Sequence, residues 1–140
     1  MTALVVDASV AVKWFLPEIH SQAAERVLIC GEKLSAPDPI WAEVGNALYK
    51  RVIRKEITLE EASAILKDFL RFPLLTYASK SLLDAAWAFA GRFSLSVYDS
   101  LYLALAAGLN CSLVTADKKF YDAMQKKSLG PKLVWVEDVK

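Results

Sequence analysis

Short, continuously apolar segments recur along this chain, each followed by a stretch whose apolar residues fall at helical spacing. "ALVV" (3–6) is the clearest. A strand of this kind with no polar alternation cannot leave one face in water, so it predicts a position buried on both sides, the habit of a parallel sheet covered by helices. "LSAP" (34–37), "PLLTYA" (73–78), "CSLVTAD" (111–117) and "KLVWVED" (132–138) read as further strands. Between them the spacing predicts a short helix from Ser9 to Leu16 that stops at Pro17, and another over 19–30 that ends near Gly31. A long helix follows over 38–56, with Asp38 before Pro39 at its first turn, then one over 58–72 capped by a Thr58/Glu61 box. Ser79 or Ser81 opens the next, to Phe93; Ser96 opens another, closed by Gly108 in left-handed backbone; and 118–127 is the last. Strands alternating with helices predict an α/β sandwich with a mostly parallel central sheet.

With 140 residues, 55% of them hydrophobic, and only five Gly and five Pro, one compact domain over 1–140 is expected, without repeat or linker. The formal net charge of +1 excludes the strongly basic type of nucleic-acid binder. Contact with phosphate would have to come from a local patch. "MTALVVDASVAV" has no basic leader and carries an acid in its apolar stretch, and no uncharged run reaches membrane-spanning length. A cytoplasmic chain with no membrane contact is expected. Cys30 and Cys111 are far apart and form no CxxC pair, which suits free thiols in a reducing compartment.

The strand "ALVV" ends on Asp7, and "LVTAD" ends on Asp117. In open α/β sheets, ligands bind beyond the carboxyl ends of the strands, where loops and helix N-termini converge. Two more acids stand on helices beside apolar residues: Glu43 at the border of the face formed by Ile40, Trp41, Val44 and Leu48, and Asp99 in the first turn of the most apolar helix. Taken singly, each has a simpler role: Asp7 and Asp117 as helix caps, Asp99 in a capping box with Ser96, Glu43 paired with Lys50 or another base. Four acids at one sheet edge would instead need protons or a cation. A hard divalent ion such as Mg²⁺ or Mn²⁺, which takes oxygen ligands and keeps several waters, is the ordinary solution.

In this order the segments resemble the PIN-domain ribonucleases, and among them the small VapC-like toxins of prokaryotic toxin–antitoxin pairs. "VVDASVAVKWFLPE" resembles the family's opening strand and helix with Asp7 and Ser9; "WAEVGNALYKRV" the second motif with Glu43 and Asn46; "SVYDSLYLALA" the third with Asp99; "LVTADKKF" the fourth with Thr115, Asp117 and Phe120. The resemblance implies a PIN-like three-layer α/β/α sandwich, Mg²⁺- or Mn²⁺-dependent hydrolysis of RNA phosphodiester bonds, frequent homodimers, and a small antitoxin protein that blocks the site. On this reading Asp7, Glu43, Asp99 and Asp117 are the catalytic and metal-binding residues, holding one or two ions directly or through water. Ser9, Asn46 and Thr115 would orient carboxylates or a bound water.

Lys50, Arg51, Arg54 and Lys55, with Lys118 and Lys119, could guide the RNA backbone, although a basic helix end is more simply a solvated face. His20, the sole histidine, is expected as a solvent-exposed bystander, and Trp14, Trp41, Trp87 and the tyrosines as core or interface residues. Trp14 and Phe15 would suit a dimer or antitoxin groove as well as the core. A receiver domain would want paired acids after its first strand, and a haloacid-type phosphatase a second aspartate where Ser9 stands. The serious alternative is a PIN-like module that binds RNA or protein without cutting, whose usual mark, loss of an acid, is absent.

Overall fold

The structure, a computed structural model, describes residues 3–127 and 130–139; of the domain expected over 1–140, Met1, Thr2, Ser128, Leu129 and Lys140 lie outside the described residues. Five strands, β1 (Ala3–Val6), β2 (Lys33–Pro37), β3 (Leu75–Tyr77), β4 (Ser112–Thr115) and β5 (Leu133–Trp135), form one sheet in the order β3-β2-β1-β4-β5. All four pairings are parallel. Val5 and Val6 point to opposite sides of β1 and are both fully buried, so helices cover both faces, as the unbroken apolar run predicts.

The helices are α1 (Ala8–Ala11), α2 (Ser21–Leu28), α3 (Ile40–Ile53), α4 (Leu59–Leu70), α5 (Ser79–Phe93), α6 (Val97–Leu109) and α7 (Lys118–Gln125). The most apolar, α6, packs against β1, β2 and β4 and buries every residue from Ser100 to Ala106. Among the described residues no helix is long and apolar enough to cross a membrane.

Several boundaries differ from expectation. The first helix is one α-turn followed by a 3-10 turn, Val12–Trp14, and the last strand stops at Trp135 before another, Val136–Asp138. Left-handed backbone after α6 is supplied by Asn110 (φ 52°) and not by Gly108, which stays inside the helix. Asn tolerates that conformation better than most residues, because its short polar side chain bonds locally. Asp38 bonds across to the next crossover: its Oδ1 accepts from the Ser79 N–H at 3.1 Å.

Trp14 and Phe15 belong to the packed interior. Trp14 stacks on Phe72 at 4.9 Å and donates its indole N–H to the Ala24 carbonyl, while Phe15 meets Phe69 and Phe72 edge-on. Trp41 packs on Phe69, but Trp87 is 70% exposed and outside the core.

Candidate active site

The chain builds β1, β2 and β3 outward in one direction, then returns to add β4 and β5 on the other side of β1. The crevice between β1 and β4 is therefore the topological switch point of the sheet, the place where such folds present ligands. Pairing of Val6 with Val114 sets Asp7 beside Thr115, and Asp117 follows two residues beyond. Helix α6 ends three residues before β4 begins and runs back along the sheet, which brings Asp99 in its first turn to the same edge. Glu43 arrives on the first turn of α3, directly after β2.

Asp7 is 7% exposed and heavily bonded. Ser9 Oγ donates to its Oδ1, the Val10 N–H reaches the same oxygen at 3.3 Å, and Thr115 Oγ1 donates to Oδ2 at 2.5 Å. Both hydroxyls are held in turn: Ser9 accepts from the Ala116 N–H at 2.9 Å and Thr115 from the Asp117 N–H at 3.0 Å. Desolvation nevertheless wins. It raises Asp7 to a pKa of about 6, with hydrogen bonds from Ser9, Thr115 and Val10 opposing and the charge of Asp117 adding.

The same repulsion links the other acids. Burial, then the charge of Asp117, raises Asp99, and burial together with Asp99 raises Glu43. Asp7 and Asp117 also cap α1 and α7, and Ser96 Oγ accepts from the Asp99 N–H at 3.0 Å, so the capping roles coexist with the gathering of charge. None of the four forms an ion pair among the described residues. Glu43 accepts from the phenol of Tyr102 at 3.0 Å, and not from Lys50.

The remaining candidates are distributed differently. Asn46 lies exposed one turn along α3 from Glu43, with Lys50, Arg54 and Lys55 exposed beyond it. Arg51 is held by Glu18 and reaches Glu56 at 3.7 Å; Glu18 also binds Lys13 at 2.8 Å. Lys118 pairs with Asp122 and lies over the rings of Tyr121 and Trp135, and Lys119 is exposed. His20 is no bystander: its Nδ1 lies 2.7 Å from Glu137 and its ring meets Trp135 edge-on.

Sequence reasoning passed over Tyr102 and Lys13. Tyr102 stands three residues after Asp99, hence on the same side of α6, which is the signal that could have found it. Lys13 has its pKa lowered by burial and by Arg51, while the charge of Asp7 opposes the shift.

A divalent ion fits these residues in one respect and is constrained in another. The donors are all carboxylate oxygens carrying uncompensated charge, the chemistry that hard cations prefer. Among the described residues no three His, Cys, Asp or Glu side chains form a ready cage. An ion held here would rest on one or two carboxylates and on water, as Mg²⁺ can.

Parallel topology with acids at its switch point defines a class: α/β proteins with an acidic crevice beyond the carboxyl ends of their strands. Residues 4–125 match the model of the PIN domain, and the chain belongs to that family. Ribonuclease VapC9 of Mycobacterium tuberculosis is 33% identical over 87% of this chain and 91% of its own length. PAE2754 from Pyrobaculum aerophilum has a similar crystal structure, with a TM-score of 0.71 at 26% identity over 97% of this chain and 92% of that one. VapBC2 from Rickettsia felis, bound to a DNA fragment from its promoter, shares the fold at a TM-score of 0.66 and 14% identity, over 96% and 98%.

Proposed function

We propose that the chain, as a single PIN domain, is a Mg²⁺- or Mn²⁺-dependent endoribonuclease and the toxin of a toxin–antitoxin pair. The observation that carries the reading is the approach of Asp7, Glu43, Asp99 and Asp117 at one sheet edge, where the charge of Asp117 raises Asp7 and Asp99, that of Asp99 raises Glu43, and none of the four forms an ion pair among the described residues. Relatives named VapC ribonucleases at this level of identity support RNA as the substrate.

A bound divalent cation supplies a hydroxide nucleophile at neutral pH and offsets charge on the phosphate in the transition state. Asp7, Glu43, Asp99 and Asp117 would hold it, directly or through water. Ser9 and Thr115 fix the Asp7 carboxylate by donating to its two oxygens. Asn46, one turn from Glu43 on α3, would orient a carboxylate or a bound water. Lys50, Arg54, Lys118 and Lys119 are exposed and can meet the RNA backbone, whereas Arg51 is committed to Glu18. Such contacts would position RNA without choosing its sequence.

An antitoxin partner, homodimerisation and a cytoplasmic location belong to the same reading. Leu83 and Trp87, one turn apart on α5 and 44% and 70% exposed, offer apolar surface for protein contact. The test is incubation of purified protein with a mixed cellular RNA pool in Mg²⁺, Mn²⁺ or chelator. Discrete fragments that require metal are expected. No cleavage by folded, inhibitor-free protein would turn the reading to a non-catalytic binding module.

A further inference from the structure

We propose that Tyr102 is a positioning residue of this site: its phenol, donating to Oε1 of Glu43, fixes that carboxylate and leaves Oε2 as the oxygen available to a cation or its water. The inference rests on the metal-site reading above. Tyr102 is 2% exposed, with its ring in the core beneath α6, yet its hydroxyl reaches across to α3 and meets Glu43 at 3.0 Å. A buried phenol hydroxyl left without a partner is destabilising, so phenylalanine would serve better if the position only filled space. Glu43 has no cationic partner among the described residues, and a glutamate on a helix surface is otherwise free to sample several rotamers. The hydrogen bond removes that freedom. Because Asp99 and Tyr102 stand three residues apart on α6, this one helix delivers an acid to the site and the clamp for a second acid carried by α3.

Outer partners of metal-holding carboxylates typically contribute about 10- to 100-fold in metal affinity. Mn²⁺ binding is therefore measured on the full chain from the paramagnetic resonance signal of the free ion, for wild type, Tyr102→Phe, Glu43→Gln and the double variant. Tyr102→Phe should weaken Mn²⁺ by about 10-fold. In the double variant it should add nothing to the loss caused by Glu43→Gln, because the phenol acts through Glu43. Paired with Asp117→Asn, which has no bond to Tyr102, the two losses should multiply. Wild-type affinity in Tyr102→Phe, or losses that multiply with Glu43→Gln, would overturn the proposal while leaving the metal site standing. Failure of wild type to bind Mn²⁺ would overturn the site and this inference together. Should Tyr102→Phe melt too low to assay, Glu43→Asp withdraws the carboxylate from the phenol by a change on α3 that leaves the Tyr102 ring itself unaltered. It should weaken Mn²⁺ by a comparable factor, and unchanged affinity there would count against the clamp.

Discussion

Donors from Ser9, Thr115 and Val10 converge on Asp7, yet its pKa stands at about 6, because burial costs the charged form more than the bonds return. Each donor is thus holding the acid down within reach of neutral pH. Thr115→Val removes the donor to Oδ2 while keeping the shape of the side chain. A hydrogen bond to a charged group contributes about 1.5–3 kcal/mol, so in chelator-treated protein the Asp7 carboxyl, followed by NMR, should titrate about one unit or more higher. An unmoved titration would show that the Thr115 bond does not hold the acid down. Tyr102 has the opposite constraint: burial and the charges of Glu43, Asp7 and Asp99 all raise its pKa, which keeps the phenol a donor throughout the working range.

At the scale of elements, local signals decide where helices begin more firmly than where they end. The Thr58/Glu61 box forms with both reciprocal bonds at 3.0 Å, and Thr58→Ala should cost about 1 kcal/mol, read as a fall of a few degrees in melting temperature. No change would mean that α4 is held by packing alone. All five strands and seven α-helices of the described residues were legible in the sequence, since "ALVV" and "SLVT" have no exposed face to alternate and the helical stretches keep their apolar stripe. Their lengths were less legible. The first helix breaks into a 3-10 turn that ends at Trp14, whose ring stacks on Phe72, a contact across 58 positions that no local window contains. The acids were visible because strand ends and first helical turns are local features. The bonds of Glu43 to Tyr102, Arg51 to Glu18 and His20 to Glu137 were hidden, because each joins separate elements.

For the whole molecule, the gathered acids tie stability to pH and, on the metal-site reading, to Mn²⁺. Asp7 holds its proton to about pH 6 when folded against 3.8 as the ordinary value, so between these limits the folded state carries the extra proton. Stability then falls as pH rises through that window, by about 3 kcal/mol from this group alone once both forms are ionised. Glu43 and Asp99, also raised, act in the same direction. Chelator-treated protein should melt at a higher temperature near pH 5 than near pH 7.5. Added Mn²⁺ should restore the loss, stabilising by about 2.7 kcal/mol at a hundredfold excess over its dissociation constant, and more at the higher pH, where it competes with fewer protons. A Mn²⁺ shift that is absent, or larger at pH 5, would contradict a carboxylate metal site.

If these acids act together in cutting RNA, losing one of them must show in the cleavage of one defined RNA under Mn²⁺ by wild type and by Asp99→Asn, prepared side by side and both shown to be folded. Metal-dependent fragments from wild type, reduced at least about a hundredfold in the variant, are predicted, in keeping with loss of a group that stabilises the transition state. Equal cleavage by the two proteins would contradict that joint action.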